Sequence, residues 1–274
     1  MNVFITGAAG GLGRALATEC ARRGYHLFLT DVNEAGLRCL QRGLERQFPV
    51  TVTVRACDLT SADSVDAMLA EVDRLALRFE MLLNIAGLDF EGDFCGRDRE
   101  SVVSIVSLND AATLRITHAV LARRNPAARF SVVFVSSLAS MFPMPLKATY
   151  AASKRFLLDF ALALRQELKS RNTSVLAFCP GGMATTKEAM EGIAAQGILG
   201  DMTTNALETI TRKLLNRALA GKGMYIPGGF NKTLACLGKI VPRHWVAAAI
   251  HWRWTQTQRK WLIPEACGQS AAGD

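Results

Sequence analysis

The sequence predicts an α/β protein built on a doubly wound parallel sheet of about seven strands, with helices on both faces. Short apolar runs of strand length alternate along the chain with longer segments of helical period. The runs are continuously apolar, as expected for parallel strands that are covered by helices on both faces. A glycine-rich turn between the first run and the first helical segment is typical of the same fold class.

Repeated units of one strand and one helix make up most of the chain and favour right-handed crossovers. Thr60, Asp63 and Asp66 place oxygen atoms at one helix start, where they suit the free amides and the helix dipole. We predict strands at residues 3–5, 26–30, 50–55, 81–85, 130–136 and 174–178, and helices at residues 12–23, 34–48, 62–79, 99–124 and 150–171.

The alternation continues to about Gly229 without a linker, a repeat or a low-complexity run, which indicates one domain. We assign residues 1–230 to this domain and residues 231–274 to a C-terminal extension. The extension is expected to pack on the domain, on a partner subunit or on a membrane surface.

The composition indicates a globular protein with a sizeable core, since 50% of its 274 residues are apolar and 20% are charged. We expect a cytoplasmic protein, with possible membrane association, because a signal peptide is not expected and the cysteines are expected to be reduced. The first strand begins too close to Met1 for a signal peptide, and no run of apolar residues is long enough to span a membrane. Seven scattered cysteines without a Cys-x-x-Cys pair predict reduced thiols, and four histidines without ligand spacing predict no metal. We interpret the net charge of +8 as a basic solvated surface, without nucleic acid as a partner.

The glycine-rich turn carries Gly7, Gly11 and Gly13 between the first strand and the first helix. Glycines at such a turn permit positive φ, let backbone amides approach a pyrophosphate and let the helix pack closely on the sheet. An ordinary tight turn is the alternative, but the position at the first strand favours a dinucleotide site of Rossmann-like type.

Asp31 ends the second strand, about twenty residues after the turn, where a carboxylate can accept both ribose hydroxyl protons of an adenosine. The same charge repels a 2′-phosphate, and Val32 offers no positive charge to bind one. NAD is therefore favoured over NADP. Asp58, followed by Leu59, lies after the third strand and has two interpretations, a contact with the adenine edge and a role at the helix entry.

Tyr150 and Lys154 are four residues apart and therefore share one face of a helix. A neighbouring ammonium favours the phenolate, so we expect the pKa of Tyr150 to lie below its ordinary value. Such a tyrosine can protonate a developing alkoxide or remove the proton of an alcohol. Ser137 follows the fifth strand, at the edge where open sheets bind ligands, and could hydrogen-bond the substrate oxygen.

Together these motifs resemble the short-chain dehydrogenase/reductase family, in its compact single-domain form, over about residues 2–229. The turn at Gly7 resembles the cofactor turn of the family, and Asn84-Ile85-Ala86-Gly87 is similar to its Asn-Asn-Ala-Gly motif, with isoleucine at the second position. Pro180-Gly181-Gly182-Met183-Ala184-Thr185 resembles the segment that flanks the nicotinamide.

The resemblance implies a catalytic tetrad of Asn109, Ser137, Tyr150 and Lys154, with Asn109 holding a water in a proton relay. The sequence alone would make Asn109 a solvent-facing helix residue, and the spacing to Tyr150 selects Ser137 over Ser136. Family members usually form dimers or tetramers through the helices that contain Asn109 and Tyr150. The implied cofactor-binding residues are Gly7, Gly11, Leu12, Gly13, Asp31, Asp58, Leu59, Asn84, Ala86, Gly87, Tyr150, Lys154, Pro180, Gly181, Met183 and Thr185.

The substrate region is expected on both sides of this tetrad. In the family a flexible lid follows the position of Thr185, and here residues 186–202 interleave glycines with apolar residues. Residues 141–145, Met-Phe-Pro-Met-Pro, would line the other side of the pocket. An apolar pocket favours a hydrophobic alcohol or ketone.

The extension contains all four tryptophans, at positions 245, 252, 254 and 261, among several basic residues. Val246, Ile250 and Trp254 recur at helical spacing and predict one apolar face. That face could dock on the body or a second subunit, or the segment could lie in a membrane interface as a peripheral contact.

These observations predict an NAD(P)-dependent oxidoreductase that transfers a hydride between a nicotinamide and a secondary alcohol or ketone. The alternative is a non-catalytic dinucleotide-binding sensor or scaffold that acts through its basic, tryptophan-rich tail. A pure binder has no use for the Tyr150 phenol, which favours the enzyme.

Overall fold

The computed structural model describes residues 1–183, 206–238 and 241–257. A seven-stranded sheet lies at its centre, and every pair of neighbouring strands is parallel. The strands are β1 (Asn2–Thr6), β2 (His26–Asp31), β3 (Val52–Ala56), β4 (Met81–Asn84), β5 (Phe130–Val135), β6 (Thr173–Phe178) and β7 (Met224–Tyr225).

The sheet order is β3-β2-β1-β4-β5-β6-β7, so the chain moves outward from β1 and then returns to the other side of it. This reversal opens a crevice at the carboxyl ends of β1 and β4, where open α/β sheets bind their ligands. The predicted doubly wound sheet, its strand number and its Rossmann-like order are confirmed.

Helices cover both faces of the sheet. They are α1 (Gly11–Arg22), α2 (Glu34–Gln47), α3 (Ala62–Arg74), α4 (Arg99–Val106), α5 (Thr113–Leu121), α6 (Ala148–Glu167), α7 (Leu207–Leu219), α8 (Gly229–Leu237) and α9 (Arg243–Thr257), with a π-helical segment at Ser107–Ala112 and 3₁₀ turns at Leu138–Met141 and Lys169–Arg171.

The alternation of side chains along each strand divides the core into two layers. In β1, Val3 and Ile5 join the layer beneath α1, α2 and α7, while Phe4 joins the layer beneath α3, α5 and α6. The second layer contains an aromatic cluster in which Phe4 stacks on Phe28 at 4.9 Å between ring centroids, with Phe79 edge-on to both. Because both layers are filled, the sheet is a rigid platform for the loops at its carboxyl edge.

Two predicted helices differ from the structure. The helix expected at residues 62–79 ends at Arg74, because Ala76 takes a left-handed φ of 50° and turns the chain back toward the sheet. Phe79 fitted the helical period, but it is buried as the approach to β4 and its amide donates to the Arg123 carbonyl at 3.1 Å. The helix expected at 99–124 is continuous in direction, but the π-helical segment interrupts its regular hydrogen bonding.

The first helix of the extension, α8, packs against the domain. In α8, Asn231 and Ala235 are buried, and a Cβ added to Gly238 would lie 2.3 Å from the ring of Phe142, next to the Leu138–Met141 turn. The boundary at residues 230 and 231 stays a prediction, since α8 runs through it.

The last described helix, α9, has an inner and an outer face. Val246 and Ile250 are half-buried and Trp254 is 7% exposed, so the apolar face predicted from their spacing is turned toward the protein. Trp245 and Trp252 are 67% and 68% exposed. In the part of the chain that the structure describes, no helix is both long and apolar enough to cross a membrane.

Candidate active site

The glycine turn presents backbone without side chains at the crevice. Gly7 has a φ of +61°, and a Cβ there would lie 2.7 Å from the backbone of Ala86. A Cβ on Gly13 would lie 2.1 Å from the Gly7 carbonyl oxygen, so α1 starts in direct contact with the turn. Gly11 and Leu12 are the first residues of α1, where free amides point toward the crevice. The turn therefore fits a pyrophosphate at the helix N-terminus.

Thr6 joins the turn to the end of β4. Its Oγ1 accepts hydrogen bonds from the amides of Ile85 and Ala86, at 3.0 and 3.1 Å. Asn84 is buried and donates from Nδ2 to Thr117 Oγ1 at 3.0 Å, while its Oδ1 has no hydrogen-bond partner among the described residues. Thr6 directly precedes Gly7, but the sequence did not reveal that its hydroxyl joins the ends of β1 and β4.

Asp31 lies at the end of β2, beside the turn. Its Oδ2 accepts a hydrogen bond from the Ala9 amide at 2.9 Å, and its Oδ1 accepts one from the Asn33 amide at 3.0 Å. These bonds fix the carboxylate on the side of the crevice where the turn begins. This is where a carboxylate would have to lie to meet the ribose of a dinucleotide held by the turn.

Asp58 and Leu59 follow β3 at the same edge. Asp58 Oδ1 accepts from the amide and the hydroxyl of Thr60, at 2.9 and 2.7 Å, and these bonds lower the pKa of the carboxyl. Leu59 is buried in the core. The carboxylate of Asp58 thus shapes the entry to α3, which is the second of the two predicted interpretations, and its contact with an adenine stays a prediction.

Tyr150 and Lys154 lie on one face of α6, with Lys154 Nζ 5.6 Å from the centre of the Tyr150 ring. Lys154 is 4% exposed and donates to the Val135 carbonyl oxygen at 3.0 Å, which holds the ammonium against the end of β5. Ser137 lies close enough to Tyr150 to lower the pKa of the phenol. Ser136 has a different role, since its hydroxyl donates to the Lys154 carbonyl oxygen at 2.7 Å inside the core.

Asn109 lies within the π-helical segment and is fully buried, so the solvent-facing alternative is wrong. Its Oδ1 accepts from the Leu88 amide at 2.8 Å, and its Nδ2 donates to the Leu88 carbonyl at 3.0 Å and to Ser153 Oγ at 3.0 Å. Ser153 in turn donates to the Tyr150 carbonyl oxygen at 2.8 Å. The asparagine side chain therefore ties the loop after β4 to the helix that carries Tyr150 and Lys154.

The electrostatics of the tyrosine differ from the sequence prediction. Burial raises the pKa of Tyr150 and the charge of Asp89 raises it further, while contact with Ser137 lowers it. The expected phenol with a lowered pKa is therefore wrong, because the loss of hydration outweighs stabilisation of the phenolate. Burial also lowers the pKa of Lys154 to about 8, against the charges of Asp89 and Asp110, which raise it.

The structure describes some of the remaining predicted residues and not others. Gly87 lies between Asn109 and Lys154, since a Cβ there would be 2.9 Å from Asn109 Oδ1 and 3.1 Å from Lys154 Nζ. Pro180 is buried and its carbonyl accepts from the Leu138 amide at 2.7 Å, beside half-buried Gly181 and Met183. Thr185 and the predicted lid at residues 186–202 lie outside the described residues.

Four charged residues near the tetrad were not among the predicted site residues. Lys147 Nζ lies 2.9 Å from Asp89 Oδ2, 3.3 Å from Glu91 Oε2 and 5.6 Å from the centre of the Tyr150 ring. Asp110 follows Asn109 and is also buried. An acidic residue directly after a candidate site residue was the available signal, but only the structure shows that Asp110 faces inward. Over the described ranges, no cluster of three His, Cys, Asp or Glu side chains could hold a metal ion.

Comparison with known proteins agrees with this geometry. The family model described as short chain dehydrogenase matches residues 1–194. The very-long-chain 3-oxoacyl-CoA reductase of Laccaria bicolor is 33% identical over 178 residues, which are 62% of this chain and 51% of that protein. The sulfoacetaldehyde reductase of Chromohalobacter salexigens is 33% identical over 181 residues, covering 65% of this chain and 71% of that one. The chain thus spans about half the length of the first of these relatives.

Solved structures share the same architecture. A short-chain dehydrogenase from Sphingobium yanoikuyae in complex with NADPH has a TM-score of 0.72 and 25% identity, covering 99% of this chain and 98% of that one. The actinorhodin polyketide ketoreductase with NADPH has a TM-score of 0.73 and 25% identity, covering 83% and 95%. The chain belongs to the short-chain dehydrogenase/reductase family of oxidoreductases.

Proposed function

We propose that the protein is an NAD(P)-dependent oxidoreductase that interconverts a secondary alcohol and a ketone. The observation that carries the proposal is the grouping of Ser137, Tyr150 and Lys154 at the carboxyl end of β5, across the crevice from the bare glycine turn. A half-buried phenol beside a buried ammonium has no structural function that a phenylalanine and a leucine would not perform better.

The dinucleotide, when bound, would supply the hydride to a ketone carbon or accept it from an alcohol carbon. Tyr150 would give its proton to the oxygen of the ketone as the charge develops there, and would take the proton back in the oxidation. Its raised pKa keeps the phenol protonated at neutral pH, which suits the reduction. Ser137 would orient the substrate oxygen, and Lys154 would hold the nicotinamide ribose hydroxyls and stabilise the phenolate.

NAD is the proposed cofactor, on the strength of Asp31 at the end of β2. Its carboxylate borders the glycine turn through the bond to the Ala9 amide. It would accept protons from ribose hydroxyls and repel a 2′-phosphate. Val32 beside it is 72% exposed and brings no positive charge. NADP is the alternative, and two of the similar solved structures hold NADPH.

A hydrophobic ketone or alcohol is the proposed substrate class. Met141 is buried and residues 142–145 are half-buried beside Ser137, so this side of the site is apolar. The name of the Laccaria bicolor relative, a very-long-chain 3-oxoacyl-CoA reductase, supports a ketone attached to an alkyl chain.

Replacing Tyr150 by phenylalanine tests the enzyme against the sensor or scaffold. The variant should bind NADH with nearly unchanged affinity, because it loses one hydroxyl at the edge of the site. Its turnover should fall by about 10²–10⁴-fold, which is the usual contribution of a positioned acid or base. The assay follows nicotinamide absorbance over a panel of hydrophobic ketones and alcohols, with NADH and NADPH in parallel.

The matched control is Tyr25→Phe, at the opposite end of the sheet, which should keep full activity. If the wild-type chain binds NADH but turns over no member of the panel, or if Tyr150→Phe keeps its turnover, the sensor or scaffold is favoured and the enzyme is rejected.

Assembly into a homodimer or homotetramer is proposed through the helices that carry Asn109 and Tyr150. The apolar side chains of Val103 and Val106 on α4 and Phe156 on α6 are 49%, 45% and 42% exposed. Exposed apolar groups on these two helices would be covered by a second copy of the chain.

We further propose that the outer face of α9 makes a peripheral contact with an anionic membrane surface. Trp245 and Trp252 are seven residues apart, on one side of the helix, and are about two-thirds exposed. Arg243, His244 and His251 are exposed near them. Indole rings with basic neighbours suit the boundary between lipid headgroups and acyl chains.

A further inference from the structure

Asp110 is a buried carboxyl group that the proposed reaction does not use. It follows Asn109 in the π-helical segment Ser107–Ala112 and is 8% exposed. Its Oδ1 has no hydrogen-bond partner within the described parts of the chain. π-helical turns widen a helix locally and are frequent at functional sites. Here two consecutive polar residues, Asn109 and Asp110, are both buried, so the segment directs both toward the protein interior.

Lys154 lies on the neighbouring helix and is the charged group that acts on Asp110. The π-helical segment is fixed to α6 one residue before Lys154, through the 3.0 Å bond from Asn109 Nδ2 to Ser153 Oγ. Asn109 Oδ1 and Lys154 Nζ both lie near the position of a Cβ added to Gly87, at 2.9 and 3.1 Å. The lysine, the asparagine and the carboxyl therefore belong to one cluster.

The titratable groups around Lys154 come from three elements. Tyr150 lies on the same helix, with Lys147 just before its first turn, Asp89 is in the loop after β4, and Asp110 is in the π-helical segment. Asp89 acts on Lys154 more strongly than Asp110 does, but Asp89 is also bound to Lys147 at 2.9 Å. In the described part of the chain, Asp110 has no such second cation.

We propose that Asp110 is a positioning residue whose carboxylate keeps the buried Lys154 ammonium charged. A buried ammonium loses hydration and tends to release its proton, and a nearby negative charge opposes this. The charge matters because Lys154, under the proposed function, has to hold ribose hydroxyls and stabilise the Tyr150 phenolate. The proposal extends that function, but the state of the lysine can be measured without any turnover.

Removal of the negative charge should make Lys154 titrate at lower pH. Asp110 raises the pKa of Lys154 from its own side, so its loss lets burial lower that pKa below the value of about 8. Lys154 would then be partly neutral at physiological pH. NADH affinity should weaken between pH 7 and 8 and stay close to wild type at pH 6, where the lysine is still protonated.

The test is a pH titration of Lys154 in the Asp110→Asn variant, which keeps the shape of the side chain. Selective ¹³C labelling of lysine ε-carbons gives one NMR signal for each lysine, and Lys154→Arg identifies the signal by its loss. The midpoint of Lys154 should fall by about one pH unit relative to the wild-type chain. Asp66→Asn, which removes an exposed carboxylate on α3, should leave that midpoint in place.

An unchanged Lys154 midpoint in Asp110→Asn would overturn the proposal, and so would an equal shift in Asp66→Asn. If Asp110→Asn fails to fold, Asp110→Ser is measured in the same way. A lowered midpoint in a chain that turns over no ketone or alcohol would support the electrostatic role of Asp110 and reject the enzyme, so the two proposals fail separately.

Discussion

Lys154 and Asp110 are buried groups of opposite charge, and burial shifts their pKa values in opposite directions. Burial lowers the pKa of the lysine to about 8 and raises the pKa of the aspartate to about 6. Burial therefore shifts each group toward its neutral form, although both are mostly charged at pH 7, and each charge partly stabilises the other. Such a pair stabilises the fold less than an apolar pair of similar volume would. Its presence beside Tyr150 is consistent with a chemical role.

Asp110→Asn should make the protein more stable at neutral pH. Because the pKa of Asp110 is raised from 3.8 to about 6 on folding, its favourable contribution exists at low pH and is lost as the pH rises. The asparagine does not ionise, so its advantage should grow between about pH 4 and pH 6 and then level at roughly 1–3 kcal/mol. Urea unfolding at these pH values, followed by circular dichroism, measures it.

The advantage should be absent from Asp66→Asn at every pH, because the Asp66 carboxylate is exposed. A pH-independent difference between wild type and Asp110→Asn, or a less stable asparagine variant at pH 7.5, would contradict this prediction.

Residue type and spacing indicated Ser137, Tyr150 and Lys154, and the family resemblance added Asn109. Neither predicted the protonation state of these residues. The pKa of Tyr150 depends on its loss of hydration, on the charge of Asp89 and on Ser137. All three influences depend on how the loops around the tyrosine fold. The positive charge of Lys154, four residues from Tyr150 in the sequence, led to the opposite expectation. The sign of a pKa shift in a buried site needs the three-dimensional arrangement of every nearby charge.

At the scale of elements, the glycine turn and α2 allow a direct comparison of two glycines. Gly13→Ala would place a Cβ 2.1 Å from the Gly7 carbonyl oxygen, so the turn or the start of α1 has to move. We expect an overpacking cost of about 1–3 kcal/mol in the free energy of unfolding. NADH affinity should weaken by about tenfold or more, since the amides that would meet the pyrophosphate are displaced.

Gly43→Ala is the matched control, because Gly43 lies inside α2 and a Cβ there meets no atom within 4 Å among the described residues. Alanine should stabilise this helix by about 0.5–1 kcal/mol and leave NADH affinity unchanged. Urea unfolding and NADH fluorescence titration measure both variants. Equal NADH affinity in Gly13→Ala and wild type would remove the turn from the proposed cofactor site.

Helices and strands could be predicted where one pattern in the sequence, such as a continuous apolar run, was strong. Continuous apolar runs located six strands, while β7, with only the two residues Met224–Tyr225, carries no periodicity and was missed. The π-helical segment was missed for a related reason. Its extra residue changes the hydrogen-bond register within a helix whose apolar pattern continues on both sides, so the helix looked regular from residue 99 to residue 124.

At the scale of the whole molecule, the doubly wound parallel sheet could be predicted from the strand–helix alternation, whereas the position of the extension could not. The same tryptophans and basic residues fit a docked helix and a membrane contact equally well as a sequence pattern. In the structure Trp254 is buried, whereas Trp245 and Trp252 are exposed. A helix with two apolar faces gives a weak periodic signal, which is why the sequence left both alternatives open.

Vesicle binding tests the outer face of α9. The double variant Trp245→Ser and Trp252→Ser should bind vesicles of mixed phosphatidylserine and phosphatidylcholine about tenfold less tightly than wild type, because two interfacial rings are lost. Co-sedimentation measures the bound fraction. Vesicles of phosphatidylcholine alone should bind the wild-type chain more weakly, since the basic neighbours of these rings lose their attraction.

The matched control is Phe94→Ser, which removes another exposed ring, 62% exposed, outside the proposed subunit interface. Its binding to the mixed vesicles should equal that of wild type. Equal binding by the tryptophan variant and the wild-type chain would reject the membrane contact, and a change in its sedimentation mass without vesicles would indicate a subunit interface instead.

The confinement of the tryptophans to the extension has an optical consequence. Residues 1–244 contain no indole group, so the intrinsic ultraviolet emission of the chain at tryptophan wavelengths comes from residues 245–261 alone. Any quenching of that emission by a reduced nicotinamide would report resonance energy transfer between the extension and the crevice. The distance between the extension and a bound dinucleotide can therefore be measured by energy transfer without an attached dye.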